Sequence, residues 1–112
     1  MARKRIGPQT VKLEQPPVII GAAAVAGPLE AQGPLGQEYD RTYPDLTLGQ
    51  SSFEKAERQM MIDACNLALQ KAGITGKPPA VDYFLAGDLL NQIISASFSG
   101  LEVGVPMYGL YG

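Results

Sequence analysis

One interval of the chain shows apolar residues at sustained helical spacing. Phe53, Ala56, Met60, Ala64, Leu67 and Ala68 share a face at about 100° per residue, and Met61, Ile62, Cys65, Leu69 and Ala72 carry the apolar arc round the side. Only a narrow stripe of Lys55, Gln59, Asp63, Asn66 and Gln70 stays polar. Ser51 followed by Glu54 predicts a capping box at the start, and Gly73 a left-handed stop, so the helix is expected from Ser52 to Ala72. An arc this wide calls for cover on more than one side, as in the middle layer of a stacked fold. The small residues Ala56, Ala64, Ala68 and Ala72 would let neighbours approach closely.

The flanking pattern is of a different kind. Residues 1–10 are basic and expected to be flexible, with Thr10–Leu13 alternating as a short edge strand. Val18–Ala26 begins β-branched and continues in Gly and Ala, which suits a buried strand ended by Gly27-Pro28. Residues 27–50 form a long Gly/Pro loop with Tyr39, Tyr43 and Leu46 as its anchors; loops of this length usually carry function or a partner contact. After the main helix, Val81–Ala86 reads as a strand running into Gly87 and Asp88. Ile93–Leu101 reads as a helix ending at Gly100 or Gly104, and Met107–Tyr111 as a last strand. The order strand, loop, helix, strand, helix, strand predicts one α/β domain with a mainly parallel sheet, stopping in mid-pattern.

Composition narrows the chemistry. Nine basic and eleven acidic side chains leave a net charge of −2, which argues against a nucleic-acid footprint. Without histidine and with Cys65 alone, the usual zinc spacings, an internal disulfide and every His-activated nucleophile are excluded. Cys65 and the Met60-Met61 pair fall at helical core spacing and read as packing residues. Glu14, Pro16 and Pro17 interrupt the place where a secretory apolar segment would begin, and no apolar run reaches the roughly 20 residues of a membrane span. Gly33-Pro34-Leu35-Gly36 lacks the spacing of a phosphate cradle, and Asp40 and Asp45 read as solvated or capping loop residues rather than metal ligands.

In open α/β sheets ligands gather beyond the carboxyl ends of the strands, which places Asp88, Asn91 and Gly112 on one candidate edge. Asp88 and Asn91 each have a second reading, as N-caps of the helix that follows. Spacing favours the cap for Asp88 and does not choose for Asn91.

Gly33–Gly36, the run Ala56-Glu57-Arg58-Gln59, the nonapeptide Phe84–Gln92 (FLAGDLLNQ) and the ending Pro106–Gly112 (PMYGLYG) together resemble the N-terminal part of the stage V sporulation protein AD family of spore-forming bacteria. The resemblance covers the chain from about Val11. It implies the start of a thiolase-like fold, a layered αβαβα arrangement of two similar halves, usually dimeric. It further implies binding of pyridine-2,6-dicarboxylic acid (dipicolinic acid) and its uptake into the forespore; Ca²⁺ enters only as a cation that could bridge such a ligand to a carboxylate. The expected setting is peripheral, at the spore inner membrane, beside membrane proteins of the same operon.

On that resemblance Asp88, Asn91 and Gly112 become pocket residues. A dianion at short range from Asp88 would require either a protonated carboxyl or a bridging cation. The Ala-Cys-Ser turn that follows Gly112 in relatives, with the cysteine at the thiolase nucleophile's place, is not in this sequence, so the chain is expected to be a fragment with no catalysis of its own. Competing expectations are the leading part of a condensing or thiolytic acyltransferase and a purely structural or interaction module.

Overall fold

The computed structural model describes residues 3–111. The chain runs β1 (Arg3–Ile6), β2 (Thr10–Leu13), β3 (Val25–Ala26), α1 (Pro28–Ala31), a 3₁₀ turn at Gly36–Glu38, β4 (Arg41–Thr42), α2 (Phe53–Lys71), β5 (Phe84–Ala86), α3 (Ile94–Val103) and β6 (Met107–Gly109). It is a mixed α/β structure in which β1–β2 pair antiparallel and β3–β4 and β5–β6 pair parallel.

Helix α2 occupies the predicted interval, with its entry one residue later than expected. Ser52, in extended backbone, is the N-cap, and its Oγ accepts from Lys55 N at 3.3 Å. Ser51 instead accepts from Lys55 Nζ at 3.0 Å, so the Ser51–Glu54 box is not formed. Gly73 supplies the stop at φ +71°, a conformation that a side chain disfavours. Helix α3 ends at Gly104, not Gly100, which lies buried within it.

Small residues set the packing. The buried row of α3 is Ser95, Ala96, Ser99 and Gly100. Its hydroxyls bond across to α2: Ser95 Oγ donates to Glu54 O at 3.3 Å, and Ser99 Oγ lies 3.4 Å from Arg58 O and 2.8 Å from Ser95 O. On its other side, a Cβ on Gly100 would fall 2.9 Å from Met107 Cβ and 3.5 Å from Phe84, so α3 sits between α2 and the β5–β6 pair. Helix α2 is covered on a second side by residues 21–26, where a Cβ on Gly21 would fall 2.7 Å from Ala68 O and 2.9 Å from Ala72 Cβ. That is the close approach expected of the alanine stripe, although Ala56 and Ile62 alone are buried on this helix.

Several expectations are corrected. The strand expected over Val18–Ala26 is confined to Val25–Ala26, and Val18, Ile19 and Ile20 are exposed, Ile19 by 86%. A strand persists only on a hydrogen-bonded partner, and among the described residues none lies beside 18–20. For the same reason the strands form three separate two-stranded pairs, not one sheet. Within the N-terminal stretch expected to be flexible, Arg3–Ile6 form β1, paired with the predicted Thr10–Leu13 strand, and residues 1–2 lie outside the described residues. The strands expected at Val81–Ala86 and Met107–Tyr111 contract to Phe84–Ala86 and Met107–Gly109.

The long loop contains α1, the 3₁₀ turn and β4. Tyr43 anchors it: its hydroxyl donates to Asp63 Oδ2 of α2 at 2.5 Å, where Arg41 Nη1 (2.9 Å) and Gln59 Nε2 (3.0 Å) also converge on the carboxylate. Burial raises the Asp63 carboxyl, but bonds from Tyr43, Arg41 and Gln59 outweigh it and hold Asp63 below its ordinary value. Burial, then the Asp63 bond, push the Tyr43 phenol up to about 12. Leu46 is exposed and anchors nothing. Asp45 Oδ1 accepts from Thr47 N at 2.9 Å and Gly49 N at 3.1 Å, the local capping expected of it, whereas Asp40 makes long-range ties instead, accepting from Ala24 N at 2.8 Å and pairing with Lys71 at the end of α2.

Candidate functional site at the ends of β5 and β6

Strands β5 and β6 run parallel in the register Phe84–Met107, Leu85–Tyr108 and Ala86–Gly109. Beyond them the backbones converge further: Leu110 N donates to Ala86 O at 2.8 Å, and a Cβ on Gly87 would fall 2.2 Å from Leu110 O. Gly87 is therefore a close-approach glycine, and it delivers Asp88 alongside Leu110 and Tyr111.

At this edge Asp88 and Asn91 act together. Asp88 Oδ1 accepts from Asn91 N and Asp88 Oδ2 from Ala96 N, both at 3.0 Å. Asn91 Oδ1 accepts from Ser95 N at 3.0 Å, and Asn91 Nδ2 donates to Ser95 Oγ at 3.2 Å. The free N–H groups of the first turn of α3 are thus met by two side chains from outside the helix, and through Ser95 the edge is tied to Glu54 at the start of α2. The capping reading describes what both side chains do in this structure.

The caps hold an unusual helix entry. Gln92 and Ile93 both lie at positive φ, +50° and +82°. A β-branched residue there is strained by about 1–2 kcal/mol, and such strain survives only where the surroundings enforce it. Here Ile93 is also wedged against β6, since a Cβ on Gly109 would fall 2.2 Å from Ile93 Cδ1.

Asp88 lines a cavity of about 250 Å³ with Leu89, Gln92, Leu110 and Tyr111. Its character is mixed: a carboxylate whose two oxygens already accept N–H groups, an amide, a phenol, and aliphatic walls. A small flat ligand with polar ends matches such a surface, with Gln92 and Tyr111 able to donate. Of the sequence-predicted residues, Asp88 lines the cavity, Asn91 is turned into the cap, and Gly112 lies outside the described residues. Sequence reasoning missed Leu89, Gln92, Leu110 and Tyr111, each within or next to the motifs that marked the edge.

No group of three or more His, Cys, Asp or Glu residues that could hold a metal ion occurs among the described residues. Cys65 is half-buried on α2 and lines a separate apolar hollow with Val81, Tyr83, Phe84 and Val105; burial pushes its thiol up, away from the reactive form.

Fold and site together define a mixed α/β unit with a small mixed-polarity cavity at the carboxyl ends of two parallel strands. The profile of the family Stage V sporulation protein AD (SpoVAD) matches residues 7–112. Stage V sporulation protein AD of Bacillus subtilis (strain 168) is 42% identical over 109 residues, which are 97% of this chain and 32% of that relative. The chain belongs to the stage V sporulation protein AD family, and with it to the proteins of sporulation. It spans about a third of the length of the curated relative it matches.

Proposed function

We propose that the β5–β6 edge is part of a dipicolinic acid site, and that the protein supports uptake of this ligand into the forespore, peripheral to the spore inner membrane and beside membrane proteins of its operon. The observation that carries the reading is the cavity walled by Asp88, Leu89, Gln92, Leu110 and Tyr111 at the place where a parallel α/β sheet presents ligands. Dipicolinate is a flat aromatic dianion: Leu89, Leu110 and the Tyr111 ring offer its faces apolar contact, and the Gln92 amide and Tyr111 hydroxyl offer its carboxylates donors.

Asp88 sets the condition on this binding. Donating a proton to the ligand would leave one oxygen to do the capping now done by two, so protonation costs a helix-capping bond. A Ca²⁺ carried in by the ligand's own carboxylates and ring nitrogen meets no such cost, because each Asp88 oxygen keeps a lone pair for it. The reading therefore favours the calcium complex.

A layered thiolase-like architecture, dimeric at full length, is the larger frame we infer. It is supported by the exposed apolar residues Val18–Ile20, Leu85 and Tyr108, since a parallel strand pair normally has both faces covered. The 112 residues hold no histidine, and their one thiol is pushed up by burial, so what they themselves offer is a binding surface. Calorimetric titration of a full-length version with dipicolinate, with and without calcium, tests the reading. Tighter binding with calcium is expected, and affinity left unchanged by both Asp88→Ala and Asn91→Ala would sink it.

A further inference from the structure

The β1–β2 hairpin is electrically and mechanically set apart. Residues 4–12 are all exposed, and the extensive packing of the molecule involves α2, α3 and the other strands. Four of the nine basic side chains, Arg3, Lys4, Arg5 and Lys12, fall in residues 3–13, which hold no acid. The other five share the remaining chain with all eleven acids, so the hairpin stands at +4 against −6 elsewhere.

Its register also works against its own stability. Lys4 lies directly opposite Lys12, a like-charge cross-strand pair that destabilises an isolated hairpin, and two-stranded hairpins are marginal to begin with. Arg5 braces the turn by donating from Nε to Gly7 O at 3.3 Å and from Nη2 to Pro8 O. Ile6 and Val11, 49% and 51% exposed, leave apolar surface beside the charges. A clustered positive charge that opposes folding is relieved by a polyanion. Interleaved exposed aliphatics, with no aromatic residue in the hairpin to stack on a base, favour a lipid headgroup layer over nucleic acid.

We propose that the Arg3–Leu13 hairpin is a docking element for an anionic membrane surface, turning to it the face that Lys4, Lys12 and Ile6 share, with the two ammonium groups at the phosphate headgroups and Ile6 entering the interface. This rests on the peripheral-membrane part of the reading above and is independent of its ligand part.

Lys12→Glu separates docking from folding. It turns the Lys4–Lys12 repulsion into an attraction, so the hairpin gains stability, while its charge falls from +4 to +2. Flotation of the 112-residue chain with vesicles of equal parts phosphatidylglycerol and phosphatidylcholine is expected to show salt-sensitive binding. Pure phosphatidylcholine should not support it, and Lys12→Glu should weaken it about 30-fold at an unchanged or raised unfolding midpoint. Binding of Lys12→Glu equal to wild type would overturn the hairpin's role while leaving peripheral attachment standing. Failure of the wild type to bind the anionic vesicles would overturn both, and preference for a duplex oligonucleotide over the vesicles would overturn the choice of lipid.

Discussion

Replacing Asp88 by alanine removes the acceptors of two backbone N–H groups, those of Asn91 and Ala96, each bonded at 3.0 Å. Loss of one capping side chain costs about 1 kcal/mol, and an acceptor serving two part-buried donors brings the expected loss to about 2 kcal/mol. The helix entry concentrates the effect. With Asp88 gone, the strain at Ile93 can relax by unwinding the first turn of α3, so the damage should be local before it is global. Amide hydrogen exchange is the assay: exchange at Ala96 should accelerate about 30-fold, the equivalent of about 2 kcal/mol, while amides in the middle of α2 change little. Asp88→Asn keeps a single acceptor oxygen and should lose about half as much. Wild-type protection at Ala96 in Asp88→Ala would refute the capping assignment and the strain argument with it.

Gly87→Ala should cost about 2–3 kcal/mol in urea unfolding, because its Cβ meets backbone, Leu110 O at 2.2 Å, which cannot yield without loosening the Leu110 N–Ala86 O bond; an unmoved midpoint would show that the strand ends have room. The Tyr43–Asp63 contact makes stability depend on pH at both extremes. Tyr43, raised from 10.0 to about 12, stabilises fully below pH 10 and loses that contribution as pH climbs through 12. Asp63, held below its ordinary value, contributes above that value and loses its contribution as pH falls through the folded one. Unfolding midpoints measured against pH should show the alkaline loss diminished in Tyr43→Phe; an identical alkaline profile would contradict the contact.

What the sequence made legible was whatever is encoded locally. The 3.6-residue period located α2 to within a residue, Gly73 and Gly104 marked helix ends, and a strand followed by Gly-Asp marked the candidate edge. The failures depend on what lies alongside. Val18–Ile20 has the composition of a buried strand, yet strand formation needs a partner's backbone, and none is beside it here. The Lys4–Lys12 pairing argues locally against a hairpin that nevertheless forms, and β4 is two residues long, too short for any period to reveal. At the site, Asp88 and Asn91 were legible as residues but not as a pair. Their joint capping depends on Gln92 and Ile93 turning left-handed, a conformation that neither residue type announces.

The central claim is that the cavity beside Asp88 receives dipicolinate, and substitutions of the capping residues test it indirectly because they also loosen α3. Leu89 does not have that drawback: it lines the cavity and is 93% exposed, so Leu89→Asp adds a carboxylate at the lip without disturbing a packed interior. Like-charge repulsion of an incoming dianion at a partly exposed site is worth at least about 1.4 kcal/mol. Calorimetric titration of dipicolinate without calcium, which leaves it a dianion, into the full-length protein should therefore give an affinity at least about tenfold weaker for Leu89→Asp than for wild type, at an equal unfolding midpoint. Equal affinities would place the ligand elsewhere and contradict the account.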